Sequence, residues 1–489
     1  MVESKPTQGR WREWAWLMGV LLLAGGMRFC GLTRQSLWYD EAYSVWTSQM
    51  DIASLRTLWR WQIEFPLYYL LLHYWMKLFG TGEFAVRAFG ALAGTLTVLP
   101  FYFWGKALFD SRVGLLGAFL LAMNPYHLWY SQEVRMYAWA LLFAVASLWA
   151  FWRLVRGAGW GWWVGYVLLT GLTFHLHYYI AWLVLVENLY YLWMLVKGAA
   201  NSFWRGLKPW IWAQLGVLLL ALPAFAVFMT KVRVFNQWGW LAERYGSPGL
   251  GELVQLFFFF TTGQVFPGPG VLRWLTAGIF GALVVWGAVA VWQKRPAWLK
   301  GEVFALLLLV LPLGALFIVG QFFTVWVPRY LLLLLPAFLL LVAVGVGLLP
   351  GRWRLGAVIL LLGGYSLGLL GMYTQPQKED WRGVAAYLET HRAPGELLLL
   401  MDAECCVPLE YYYKDRGPRV EVSRFADASA LDDAVQEALQ KRQGEKLWVV
   451  ASHTNEQGLV QRLDALPHLR RVQKIDFVGV RLYIYEWAS

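Results

Sequence analysis

Long apolar runs separated by short polar loops recur along the first three quarters of the chain. Segments able to cross a bilayer lie roughly at 14–33, 84–107, 113–130, 137–155, 161–178, 180–196, 209–229, 272–292, 302–322, 330–349 and 354–373. Two further apolar stretches, 66–79 and 252–262, are shorter than the roughly 20 residues a spanning helix needs. If neither crosses, the loops facing the cytoplasm contain Lys106 with Arg112, Arg153 with Arg156, Lys197 with Arg205 and Lys208, Lys294 with Arg295 and Lys300, and Arg352 with Arg354. Every such loop is then basic, as topology determinants require. Letting 66–79 cross alone would turn the basic loops up to Lys208 outward. The two short stretches therefore read as interfacial or re-entrant helices, giving about eleven spans, or thirteen if both cross. The apolar run at 14–33 follows Lys5, Arg10 and Arg12 and is too long for a signal-peptide core. It reads as the first span, with the N-terminus cytoplasmic, and either count puts the C-terminal region outside.

The pattern changes near residue 375, where charged residues become common and apolar runs shorten to strand length. Segments 396–401, 420–425, 447–451 and 472–487 read as strands or strand pairs, and 381–391, 428–441 and 457–466 as amphipathic helices. The expected fold is an all-α polytopic membrane domain over 1–374, with a first outer loop at 34–65, followed by a small extracytoplasmic α/β domain over 375–489. That second domain has no GxGxxG and no Walker motif.

Composition agrees with a membrane protein. The chain of 489 residues is 59% hydrophobic and only 15% charged, where soluble proteins carry about a quarter, and its mean hydropathy is +0.46. Interfacial belts explain most of its 32 Trp and 24 Tyr. The net charge of +11 does not indicate nucleic-acid binding, because the Lys and Arg sit in short loops between spans and form no basic groove. Cys30 lies in a span and Cys405 adjoins Cys406, so no disulfide framework or cysteine metal site follows.

Polar residues that could carry chemistry gather in the outer loops. Asp40 and Glu41 follow Trp38-Tyr39 in the first of these. Adjacent carboxylates repel, which favours a base, although acids are also at home in a helix N-terminus. Glu64 precedes Pro66, the natural first residue of a helix, and reads equally as a cap or as a catalytic or metal-binding group. Glu133 and Arg135 lie where a span reaches the outer face, amid Tyr126, Trp129, Tyr130 and Tyr137. Ionisable groups at membrane depth are costly and tend to mark substrate paths, with snorkelling to the interface as the alternative. Arg329-Tyr330 opens a late span, where an arginine fork could grip a lipid phosphate, and Arg87 is a weaker candidate of the same kind. His175 and His177 flank a tight outer turn but would bind metal only with further ligands. Glu187, inside the next span, has no evident partner.

At these motifs the chain resembles the GT-C superfamily, specifically the bacterial branch related to protein O-mannosyltransferases and to the aminoarabinose transferase that modifies lipid A. The first-loop acidic pair appears as Trp38-Tyr39-Asp40-Glu41, and the acidic residue before a proline helix as Glu64-Phe65-Pro66-Leu67. The Arg-bearing start of a span appears as Glu83-Phe84-Ala85-Val86-Arg87, the outer-loop signature as Pro125 through Tyr137, and the late segment as Arg329-Tyr330 followed by Leu331 to Pro336. Phe65 and Tyr43 stand where the lipid A enzyme has Lys and Arg, so the resemblance does not carry a lipid A substrate across.

The resemblance implies inverting transfer of a sugar from a polyprenyl-phosphate donor to an extracytoplasmic protein, glycolipid or polysaccharide, at the plasma membrane. Asp40, helped by Glu41, would be the base. Arg135, Arg329 and Arg87 would bind the donor phosphate, while Glu64, Glu133, Tyr137 and Tyr330 would position substrate. Glu64 and Glu133 are also candidates for holding a divalent cation, Mg or Mn. The implied partners are the lipid-linked donor, membrane lipids and the acceptor, with no nucleic acid. The chief rival is a transporter or flippase of lipid-linked sugars. It predicts inverted repeats and interrupted helices near the midplane, and neither is visible.

Overall fold

The computed structural model describes residues 7–59, 66–197, 200–238, 246–293, 301–401, 406–414, 417–423, 426–441, 444–452 and 456–487. The chain divides into two compact units, one of residues 1–31, 51–78 and 87–375, the other of 32–50, 79–86 and 376–489.

The helices run in the order α1 (Thr7–Phe29), α2 (Tyr39–Gln49), α3 (Ile52–Trp59), α4 (Pro66–Phe79), α5 (Glu83–Leu96), α6 (Val98–Leu108), α7 (Ser111–Met123), α8 (Pro125–Ser131), α9 (Tyr137–Val155), α10 (Trp160–Phe174), α11 (Ile180–Lys197) and α12 (Ala200–Trp238). Then follow α13 (Leu250–Thr262), α14 (Gly270–Gln293), α15 (Gly301–Val319), a 3-10 turn (Pro328–Leu334), α16 (Leu335–Leu348) and α17 (Gly351–Thr374). Among the described residues, eight helices are long and apolar enough to cross a membrane, with α5 and α6 together making one of them. The short stretches 66–79 and 252–262 are single helices of 14 and 13 residues.

In the first unit, the segment from Pro328 is the most enclosed: every residue from Leu331 to Val346 is buried. This accounts for its lack of a polar face, since a helix apolar all round belongs in an interior. By contrast α12 exposes Leu218, Leu219, Leu222 and Phe225, a face suited to lipid.

The apolar stretch 113–130 does not form one straight span. Asn124 is extended and divides it into α7 and α8. Its Oδ1 caps α8 by accepting the His127 N–H (2.9 Å), while Nδ2 donates to the Phe260 carbonyl (2.9 Å) and the Tyr365 hydroxyl (3.1 Å). Pro125 at the first helical position needs no N–H partner. Beyond α8 the chain leaves helical geometry until Tyr137, yet Ser131 through Ala138 are all buried.

Two features admit this buried loop. The first is close approach to α5: a Cβ on Gly90 would lie 2.8 Å from the Glu133 carbonyl oxygen and 2.9 Å from that of Ser131, and one on Gly94 would lie 2.1 Å from Ser131 Oγ. Gly90 and Gly94, one turn apart, form the small-residue groove that brings backbones together in membrane bundles. The second is Arg28 in the last turn of α1, which is fully buried. Its guanidinium donates to the carbonyls of Leu121 (3.2 Å) and Ala122 (3.0 Å) at the C-terminal end of α7 and lies 2.8 Å from His127 Nδ1. A cation at a helix C-terminus also meets the negative end of its dipole.

In the second unit a five-stranded sheet has the order β2-β1-β3-β5-β4, with β1 (Leu397–Met401), β2 (Arg419–Val422), β3 (Lys446–Ser452), β4 (Leu469–Phe477) and β5 (Val480–Trp487). The first three strands are parallel, and β5 pairs antiparallel to both β3 and β4. Alternation along the strands sends Leu398, Leu400, Trp448 and Val450 to one face, against α18 (Trp381–His391) and α19 (Cys406–Tyr412). Leu397, Leu399, Leu447 and Val449 face α20 (Ala428–Gln440) and α21 (Gln457–Asp464). The connections before and after β2, through α19 and α20, thus use opposite faces, as right-handed crossovers demand.

Two outcomes test the loop's anchoring. Gly90→Ala should cost about 1–3 kcal/mol through overpacking against backbone, whereas Gly165→Ala, with open space around it, should be neutral in thermal unfolding in detergent. Arg28→Met should destabilise by about 1–3 kcal/mol, because the α7 carbonyls lose their donor, and Arg28→Lys should fall in between.

Candidate active site

The candidate residues fall into two sets, one in each unit, and Glu64 lies outside the described residues. In the second unit Asp40 and Glu41 occupy the first turn of α2. The two carboxylates have different surroundings. Glu41 is fully buried and ion-paired with Lys378, its Oε2 lying 3.0 Å from Lys378 Nζ. Asp40 is half-buried, and its backbone carbonyl accepts the Ser44 hydroxyl (2.9 Å).

The chain leading into α2 is tied to residues far away in sequence. Ser36 Oγ donates to the Glu379 carbonyl (2.6 Å), the Leu37 N–H to the Tyr412 hydroxyl (2.6 Å) and the Tyr39 N–H to Glu379 Oε2 (3.2 Å). Glu83, the start of α5, takes two bonds from Arg382 Nη2 (2.9 and 2.7 Å) and one from the Tyr412 hydroxyl.

In the first unit the loop between α8 and α9 brings Glu133, Arg135 and Tyr137 into the interior, each under 5% exposed. Glu133 Oε1 accepts the Trp129 indole N–H (2.7 Å). Tyr126 donates to the Pro328 carbonyl (2.6 Å), and Gln264 donates to the Tyr130 hydroxyl (2.7 Å). Both phenols feel the opposite charges of Glu133 and Arg329, so those two groups act on one small region.

Tyr330 lies at the centre of an aromatic cluster: ring centroids are 4.7 Å from His177, 5.1 Å from Tyr179, 5.9 Å from Tyr178 and 6.3 Å from Tyr137. The Arg329 guanidinium sits over the Tyr330 ring at 5.8 Å. Burial, with Tyr330 beside it, holds the Tyr179 phenol well above its ordinary pKa. It remains a neutral donor, bonded to the Val325 carbonyl. Arg87 is buried in α5, one turn before Gly90.

The two histidines are engaged differently. His175 Nε2 meets the Leu220 carbonyl (2.8 Å), and His177 Nδ1 accepts the Tyr179 N–H (3.2 Å) from within the aromatic cluster. Among the described residues no three His, Cys, Asp or Glu come together as metal ligands. Glu187 does have partners: Tyr166 donates to it (2.8 Å), and Gln214 donates to the Tyr166 hydroxyl (3.2 Å).

Three groups at these sites escape the motif reading. Arg28 carried a usable signal, an ionisable residue within an apolar run. Lys378 and Glu379 carried none, because what distinguishes them is contact with residues some 340 positions earlier.

The family profile for dolichyl-phosphate-mannose-protein mannosyltransferase matches residues 64–229. No curated protein sequence matches. Among solved structures, ArnT from Cupriavidus metallidurans bound to undecaprenyl phosphate is similar over 96% of this chain and 98% of its own, with 16% identity and a TM-score of 0.59. Oligosaccharyltransferase AglB from Archaeoglobus fulgidus, in complex with an inhibitory peptide and a dolichol-phosphate, aligns over 98% of this chain and 74% of its own, at 12% identity and a TM-score of 0.57. The mycobacterial arabinofuranosyltransferase AftD covers 100% of this chain with 42% of its own, at 13% identity and a TM-score of 0.52. Such identities speak for shared architecture alone: the chain has the fold of these membrane transferases, and residues 64–229 are similar to the mannosyltransferase family.

Proposed function

We propose that the protein is an inverting glycosyltransferase that moves a sugar from a polyprenyl-phosphate carrier to an acceptor outside the cytoplasm. The observation that carries this reading is the similarity, along nearly the whole chain, to ArnT holding undecaprenyl phosphate. The dolichol-phosphate on the similar AglB supports the same class of lipid. The buried Glu133–Arg135 loop supports it from within the chain, because charges in a bundle interior are costly to keep without a use.

Asp40 accepts the proton of the acceptor hydroxyl as that oxygen attacks the anomeric carbon. The new carbon–oxygen bond forms as the bond to the phosphate oxygen breaks, and the electron pair leaves with the polyprenyl phosphate. A single displacement inverts the anomeric configuration. Arg135 and Arg329, with Arg87, hold the phosphate as charge develops on it. Glu133, Tyr137 and Tyr330 position the sugar, together with Glu64. In this reading the N-terminus is cytoplasmic and the α/β domain lies outside the plasma membrane. The acceptor is a protein, a glycolipid or a polysaccharide, and no step is assigned to a divalent cation.

Purified protein supplied with a panel of polyprenyl-phosphate sugars should release the carrier phosphate and label an acceptor. Asp40→Asn should fold normally and lose at least about 100-fold in turnover, the range for a missing general base. Arg329→Gln should lose about 100- to 1,000-fold in kcat, as when a transition-state charge donor is removed. Movement of labelled lipid across a bilayer with no turnover of any donor would favour a flippase and defeat the transferase.

A further inference from the structure

We infer that Lys378 and Glu379 are positioning residues that fix the Asp40 carboxylate, and that Glu41 serves this clamp and does not act on the acceptor. The inference rests on the reading of Asp40 as the base and deepens it.

A helix of 11 residues such as α2 has little stability of its own in water, so contacts must set its orientation. Those contacts flank Asp40 on both sides. The preceding residue, Tyr39, gives its N–H to Glu379 Oε2 at 3.2 Å. The following residue, Glu41, is ion-paired with Lys378 at 3.0 Å. Two residues of one strap thus grip the residues on either side of the candidate base, while the Ser36 hydroxyl adds a third point at the Glu379 carbonyl (2.6 Å).

The strap is itself held. Glu379 Oε2 also accepts the Trp381 indole N–H (3.2 Å), and the Asp380 N–H donates to the Val478 carbonyl (2.9 Å) in the β4–β5 turn. At that turn Gly479 has φ +69, and a Cβ there would lie 2.9 Å from Glu379 Cγ. A side chain at 479 would therefore push Glu379 away from Tyr39. The α/β domain, whose role the motifs leave open, acquires a function here: its hairpin and α18 fix the strap that orients α2.

The ion pair suits positioning better than stabilisation. Glu41 is fully buried and the Lys378 side chain 9% exposed. Desolvating two charges consumes most of the Coulomb gain, so such a pair contributes little net stability, while removing one partner leaves a buried charge alone. What the pair adds is a fixed geometry for its neighbour. A base displaced by about 1 Å loses up to about 100-fold in rate.

The test is steady-state transfer by the full-length protein, using whichever polyprenyl-phosphate sugar the wild type turns over. Lys378→Met, the double variant Glu41→Lys with Lys378→Glu, and Asp40→Asn are compared, and thermal unfolding reports the folded fraction of each. Lys378→Met should lower kcat about 10- to 100-fold with donor KM changed less than about twofold. The reversed pair should recover at least about tenfold of that loss, since it restores the contact with the charges exchanged. Wild-type kcat in Lys378→Met beside an inactive Asp40→Asn overturns the clamp alone. A reversed pair as inactive as Asp40→Asn, though folded, makes Glu41 a catalytic group and also overturns the clamp. Wild-type turnover in Asp40→Asn defeats the base assignment, and the clamp's purpose with it.

Discussion

Inside an apolar bundle, backbone that leaves helical geometry must satisfy its polar groups from within. The stretch from Gln132 to Met136 is such backbone, and the placement of Glu133 and Arg135 depends on it. Gln132, at the start of that stretch, ties it to α1, its Nε2 donating to the carbonyls of Met27, Arg28 and Cys30 where α1 finishes. Arg28 caps the end of α7, and Asn124 holds the break between α7 and α8 that precedes the stretch. Three polar side chains thus give an apolar unit a fixed, non-helical segment that carries charge. Glycine at 90 and 94 then lets α5 lie against it.

The second unit meets a different constraint. Its α2 is short and polar in its first turn, so it cannot be held by apolar burial alone. Hydrogen bonds from Ser36, Leu37 and Tyr39 and the Glu41–Lys378 pair hold it as well. Directional contacts of this kind define an angle as well as a distance. In the proposed reaction, a base that must meet the acceptor hydroxyl as it attacks needs both.

Much of the fold was legible because its signals are local. Apolar runs near 20 residues mark the long helices, and short apolar runs mark the strands, with 472–487 reading as a strand or strand pair. The helix Cys406–Tyr412 was not read, since seven residues containing Pro408 leave too short a pattern to detect. The stretch 113–130 was read as one span because its break rests on a single residue, Asn124, whose extended backbone is held by Phe260 and Tyr365 from distant helices.

The site divides in the same way. Asp40, Glu133, Arg135 and Arg329 stand out in sequence as charges beside apolar runs. Tyr166 as the partner of Glu187, and Lys378 as the partner of Glu41, do not, because each pairing is made by tertiary contact. Composition placed the α/β domain but could not relate it to the first loop, since residues 32–50 carry no mark of packing with 376–412.

The proposed reaction is a single displacement at the anomeric carbon. Proton NMR of the transferred sugar, compared with the donor, tests it most directly. A single displacement gives a product of inverted anomeric configuration, with one polyprenyl monophosphate released for each sugar transferred. Retained configuration, or release of a polyprenyl diphosphate, would contradict it.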